Sequence, residues 1–517
     1  MELETRVIHK NRTPISAFSQ MVTEEDYNLP EYKPDIMAII KSRGTISVEE
    51  IVPEDDHVMM QGKLTFEVLY QGEGAHPVID FIKGSMPFRE RVNVEGLQAT
   101  DHVVVSTNVE DMGVVVINSR KLSLRGLTDI HVTVTGSEEA EFPVASTYPP
   151  AYQIRREEHT VLKLLEQKRD RMRFKQEISL PKEKDTIQTV LWQDVHLEQT
   201  SMRQMGDGIE LSAMMCVFVL YRSEKDEVTW HETCIPVTDH VNCDIPGTDG
   251  FYQMKLVSVQ TSVEAREDLD GEMRNLAAEC FADVEATVWQ EEKIELLQDA
   301  YCMTGELHMH RHREDVWQMA MKNEAQLTGE VNQPLPDTKE ALFLCHGHGE
   351  VQLQEVKSVA GSIHVAGVCY GEVLYLTTEE AVPFSCAKIS IPFSGEIEAG
   401  SIQEGDYIDV DASLNRFQCS LVDSGNIHCR GEISLQLMAF HKEEIMVPDD
   451  VVEEPLDLDA LQRQPGMIGY VVKKGDILWD IAKRFHTTQQ ELMETNELSG
   501  EDLSPGQKLL IMKHIYL

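Results

Sequence analysis

The chain has 517 residues, enough for about three or four domains, and 89 acidic against 46 basic residues give it a formal net charge of −43. That charge repels nucleic acid and anionic lipid at close range, and no basic stripe or base-stacking signature offsets it. The opening MELETRVIHKNR lacks the apolar core of a signal peptide, and no run of about 18 apolar residues offers a transmembrane helix, so the expected compartment is the cytosol.

An internal repeat organises the first 450 or so residues. Leu29-Pro30-x-x-Lys33 recurs as Leu180-Pro181-x-x-Lys184 and Leu335-Pro336-x-x-Lys339, and Val68-Leu69-Tyr70 recurs as Val219-Leu220-Tyr221 and Val373-Leu374-Tyr375. Both anchors shift by 151 residues between the first two copies, and by 155 and 154 between the next two. A proline follows each tyrosine at similar distance: Pro87, Pro236 and Pro392. Each copy ends in a strand-like run, Leu122 to Val134, Leu276 to Val288 and Ile427 to Leu437. Arg125-Gly126 matches Arg430-Gly431, and the second copy lacks the pair. Constant spacing of three anchors predicts a triplication.

Each copy reads as mainly β. Val103-Val104-Val105, Val114 to Ile117 and Ile130 to Val134 are strand runs broken by Asn, Asp and Gly, and Val58 to Tyr70 alternates imperfectly before a Gly-Glu-Gly turn. Pro34 to Ile40 fits either one helical turn or the start of a strand. Glu157 to Arg173 has helical propensity. It matches in position Glu291 to His312, where His308, His310 and His312 alternate as on a strand, and strand is expected for both. Glu443 to Asp459 carries eight acidic residues, no basic one and two prolines, which predicts an extended, self-repelling tether. The expected division is three repeats at 1–150, 151–290 and 291–446, an acidic linker at 447–466 and a small domain at 467–517.

That last domain is nearly neutral, with six Lys/Arg against seven Asp/Glu from Ile468 onward. Tyr470-Val471-Val472 suits a strand, Lys473 to Asp476 a turn with Asp476 as candidate N-cap, and Leu478, Ile481, Ala482 and Phe485 one face of a short helix. Thr488-x-x-Glu491 is a capping box opening a second helix that Asn496 can end. Leu503-Ser504-Pro505-Gly506 turns the chain into a closing strand, Leu509 to Ile511. The predicted order is strand, helix, helix, strand.

Other candidates carry less. His308, His310 and His312 share a strand face, but Arg311 and Arg313 sit between them and no ligand partner is placed, so a solvated face is expected. Cys345-His346-Gly347-His348 lacks a second ligand pair for a metal. The ten cysteines, all from Cys216 to Cys429, form no C-x-x-C and are expected to be reduced and buried. No phosphate loop, nucleophile elbow or H-E-x-x-H is present, so nothing argues for an enzyme, a cofactor or a metal.

Residues 469–512 resemble a LysM domain through Tyr470, Val472, Gly475-Asp476, Leu478, Ile481-Ala482, Leu492, Asn496, Leu498, Leu503, Pro505-Gly506, Leu509 and Ile511. The resemblance implies a shallow site for N-acetylglucosamine polymers between two loops, here Gly475, Asp476, Ile477, Leu478 and Trp479, and Leu503, Ser504, Pro505 and Gly506, with Asn496 nearby. The family usually has Thr or Ser where this chain has Ile477. Losing that hydroxyl favours a protein partner over a sugar, unless Ile477 merely packs locally. Trp479 is read either as core or as a binding aromatic.

DYNLPEYKPDIMAII, Asp26 to Ile40, resembles the opening motif of a SPOCS domain. The whole layout is similar to the SipL-like sporulation proteins that pair SPOCS domains with LysM. The resemblance implies a non-catalytic spore-coat morphogenetic adaptor in the mother-cell cytosol at the forespore surface. Its LysM would contact the stage IV sporulation ATPase (protein A type) of the coat basement layer, and its repeats would contact other coat proteins. The competing readings are a peptidoglycan-binding wall protein exported by an unrecognised route, and an enzyme with its active site in the repeats.

Overall fold

The computed structural model describes residues 4–74, 78–144, 152–245, 250–336, 340–359, 361–379, 382–455 and 465–512. The chain is mainly β, with two short helices near the C-terminal end. Strand burial follows side-chain alternation: along HVMMQGKLTFEVLYQG the even positions face inward until the last third, which is buried on both faces.

The first repeat comprises β1 (Glu4–Asn11), β2 (Ile15–Asn28), β3 (Ile36–Glu54), β4 (His57–Gly72), β5 (Val78–Asn93), β6 (His102–Asn118), β7 (Lys121–Thr135) and β8 (Ser137–Val144). The second comprises β9 (Tyr152–Ser179), β10 (Ile187–Met205), β11 (Gly208–Ser223), β12 (Val228–Asn242), β13 (Gly250–Glu267) and β14 (Met273–Cys302). The third comprises β15 (Gly305–Pro334), β16 (Ala341–Val359), β17 (Ser362–Thr377), β18 (Phe384–Glu398), β19 (Tyr407–Asp423) and β20 (Asn426–Pro455). Each pairs a meander (β3-β4-β5, β10-β11-β12, β16-β17-β18) with a second three-stranded sheet (β2-β7-β6, β9-β14-β13, β15-β20-β19). In the first repeat Leu64 and Phe66 of one sheet meet Met112, Leu122 and Leu124 of the other in one core.

The recurring anchors have local jobs. Leu29, Leu180 and Leu335 are buried where the chain passes from one sheet to the other. Their amides donate to Arg120, Arg274 and Gly425 carbonyls at 2.8–2.9 Å, and the proline that comes next cannot continue the ladder. Tyr70 and Tyr221 are fully buried and donate to Pro34 and Asp185 carbonyls at 3.2 and 3.1 Å, tying each meander to that corner. Pro87, Pro236 and Pro392 lie on β5, β12 and β18, the outer meander strands, where a missing N–H breaks no outer ladder. Lys339 lies outside the described residues.

The first and last strands of each repeat run beyond the sandwich as a two-stranded ribbon: β1 with β8, β9 with β14, β15 with β20. These ribbons correct three expectations. Repeats two and three run from 152 to 302 and from 305 to 455. Glu157 to Arg173 is strand, but Glu291 to His312 spans the end of β14 and the start of β15, so the two segments are not equivalent. The expected tether is ribbon as far as Pro455, and residues 456–464 lie outside the described residues. The physical reason is pairing. His310 sits opposite Asp450 and Arg311 opposite Pro448, Arg313 bonds Glu444 at 2.9 Å, and His312 contacts Asp449. Arg311 and Arg313 of β15 thus face the acidic end of β20.

The three ribbons share one buried hub, in which Ile8 and Phe142 meet Val161, Leu296, Val316 and Ile445. The meanders meet likewise: Ile40 and Leu69, Leu191 and Leu220, Cys345 and Leu374 form one cluster. Lys41, Trp192 and His346 stand opposite those three leucines, each just after a register shift. The repeats therefore surround an approximate three-fold axis.

Four cysteines pair across ladders, Cys216 with Cys234 and Cys419 with Cys429, against the expectation that all are reduced. Strand register places them opposite one another, which sequence spacing does not display. Five of the six free cysteines are buried.

Candidate functional site

The C-terminal domain has β21 (Met467–Val471), α1 (Leu478–Arg484), α2 (Gln489–Thr495) and β22 (Lys508–Met512). This is the predicted order. Val472, Leu478, Ile481, Ala482, Leu492, Leu509 and Ile511 form its core. The Thr488–Glu491 capping box forms with both of its bonds.

Asp476 does not cap α1. Ile477 occupies the N-cap position, without a side-chain bond. The Asp476 carboxylate instead accepts from the Lys473 amide at 2.8 Å and the Tyr470 hydroxyl at 2.7 Å, closing the first loop. Those two bonds hold its pKa below the usual carboxylate value. Gly475 and Gly506 both have positive φ, +93° and +87°, where a side chain would be strained. The Gly506 amide donates to the Val472 carbonyl at 2.8 Å, so the second loop is fastened beside the end of β21.

Lys473, Lys474, Gly475, Ser504, Pro505 and Gly506 are exposed, and Ile477 is 41% exposed. The two loops expected to form a site thus face solvent together, with an isoleucine beside them. Leu478 and Leu503 turn inward. Asn496 is a clamp: its amide donates to the Leu492 and Leu510 carbonyls, both at 2.8 Å, and accepts from the Leu510 amide at 2.6 Å.

Trp479 has an occupation that the sequence does not reveal. It is 6% exposed, and its Nε1–H donates to Asp299 Oδ2 at 2.8 Å. Lys483 donates to the same carboxylate at 2.7 Å, and Tyr301 packs edge-on to the indole with ring centroids 5.0 Å apart. The Tyr301 hydroxyl donates to the Thr487 carbonyl at 2.8 Å, and burial raises its pKa. Asp299 and Tyr301 belong to β14. The domain is docked on the second repeat's ribbon through Trp479 and Lys483 of α1, and its two loops remain exposed.

The remaining candidates fall in two places. His308 and His312 are exposed on β15 beside Glu454 and Asp449. Cys345 is buried near the three-fold axis, where His346 and His348 meet Asp194 of β10. No helix among the described residues is long and apolar enough to cross a membrane.

A LysM-domain family model matches residues 470–511. A model described as the SipL SPOCS domain matches residues 35–117 and 344–422. The two SPOCS matches fall at β3–β6 and β16–β19, and the second repeat, outside the match, has the same strand plan. The chain is similar to the uncharacterized protein YkzQ of Bacillus subtilis (strain 168), 48% identical over 42 residues, which is 8% of this chain and 56% of that protein. The chain thus spans about half the length of that relative. No solved structure matches.

Proposed function

From the premise that this chain, joining SipL-type SPOCS domains to a LysM domain, is a sporulation protein built of non-catalytic binding modules, we propose that it is an adaptor of spore-coat assembly. Its LysM docks on the stage IV basement-layer ATPase, in the mother-cell cytosol at the forespore surface, and its repeats gather other coat proteins. The observation that carries this is the LysM's presentation: one helix face is anchored on β14 by Asp299, while the loops around Gly475 and Gly506 stay open. An apolar Ile477, 41% exposed beside those loops, suits a protein surface better than a sugar hydroxyl. Three similar repeats supply multivalent contacts that raise local concentration.

The test titrates the full chain with the basement ATPase and, separately, with N-acetylglucosamine oligomers. Ile477→Asp should weaken ATPase binding by about tenfold or more without lowering the thermal midpoint, since aspartate serves well at the N-cap position, and sugar should not saturate. Sugar binding without ATPase binding, improved in Ile477→Thr, would return the chain to the alternative of a peptidoglycan-binding wall protein.

A further inference from the structure

At the three-fold axis, one triplicated position has diverged into three different residues. Ladder register makes Arg43, Asp194 and His348 equivalent, opposite Glu67, Phe218 and Glu372. His196 lies two residues along β10 from Asp194. The Asp194, His196 and His348 ligand atoms all lie within 4.8 Å of one another. Both histidines aim Nδ1 at Asp194 Oδ2, at 3.7 and 3.8 Å. These two Nδ1 atoms are buried and have no hydrogen-bond partner among the described residues.

We propose that Asp194, His196 and His348 bind one divalent first-row transition ion, with zinc as the reference case, which clamps the second repeat to the third. Two imidazoles and a carboxylate are a fitting donor set for such an ion. Tetrahedral ligands at ordinary zinc distances stand about 3.4 Å apart, so the two measured spacings need only a few tenths of an ångström of closure. The outer contacts fit as well. The far nitrogen of His196 faces Glu198 at 3.5 Å, and that of His348 faces Glu350 at 3.8 Å. A carboxylate behind each ligating histidine fixes which nitrogen is left for the metal. Asp194 is oriented by Arg43 on Oδ1 and by His346 on Oδ2, each at 2.8 Å, and Phe218 stacks on His346. A rival grouping of His196 with Glu198 and Cys216 is closed to a metal, because the Cys216 sulfur is bridged to Cys234.

The test uses the full chain without a polyhistidine tag, stripped by chelator. Zn2+ should bind at one equivalent by calorimetry at pH 8 and raise the thermal midpoint. Co2+ should give visible d–d bands of nitrogen and oxygen ligation in the unaltered chain, a readout that needs no variant. His196→Gln and His348→Gln should each weaken binding by about tenfold or more, while His308→Gln should not. Absence of one-equivalent binding overturns the proposal. So does binding that survives both axial variants, or binding lost only in His308→Gln.

Discussion

Single residues decide how the last domain is held. Asp299 receives both the indole N–H of Trp479 and the ammonium of Lys483. Bonds to a charged group contribute about 1.5–3 kcal/mol each, so Asp299→Ala should loosen the docking by about 2 kcal/mol, read as faster amide exchange along α1 with β21 and β22 unchanged. Asn496→Ala removes two bonds to Leu510 of β22 and one to the Leu492 carbonyl of α2, and should destabilise the LysM fold itself by about 1–3 kcal/mol. In that variant exchange should rise in both strands as well, which separates the two cases. His196 contributes through protonation. Its folded-state pKa, about 9, lies above the unfolded value near 6.5. The stabilisation is complete below the unfolded value and is lost as pH climbs through the folded one. The thermal midpoint of metal-free protein should fall across that window, and the fall should be smaller in His196→Gln.

At the scale of elements, equivalent positions can be compared within one chain. Gly126 on β7 and Gly431 on β20 are counterparts, and β14 has Cys280 there. A Cβ on Gly126 would overlap Leu64, whereas one on Gly431 would meet its nearest neighbour, Cys369 Sγ, at 3.4 Å. Gly126→Ala should cost about 1–3 kcal/mol by overpacking, and Gly431→Ala much less, as measured by denaturant midpoints. The strands themselves are legible in the sequence because burial follows alternation, and the LysM helices because their caps and apolar faces are local. One local reading fails for a long-range reason. The acidic run near Pro448 reads as a tether, yet it is a strand paired with the His-Arg run at 308–313, which is itself the solvated strand face that the sequence predicts. Charge seen along one strand says nothing of the strand beside it. Trp479 is ambiguous likewise, because its partner Asp299 lies 180 residues earlier. The axial histidines of β16 look incomplete because their companions stand on β10.

For the whole molecule, the hub where the ribbons meet is the shared resource. Phe142 is fully buried there, beside side chains from the other two repeats. Phe142→Ala should cost about 3–5 kcal/mol and, more tellingly, should split a single calorimetric transition into separate ones, since the hub couples the repeats. An unchanged single peak would mean that the sandwiches communicate mainly through the meander cluster at the other end. Ion pairs across repeats, such as Lys388 with Asp111 and Lys255 with Asp409, should matter far less because such partly exposed pairs are worth little.

The approximate three-fold axis also sets a number. In a solenoid, a repeat can be added or removed at an end, and special terminal units shield the exposed faces. Here every repeat has two neighbours, so the arrangement is a closed ring with no first or last member. A fourth copy would have no seat, and deleting one would open two apolar walls instead of shortening an array. Duplication could build this chain up to three and then no further. From that point its copies could only diverge in place, as Arg43, Asp194 and His348 have done.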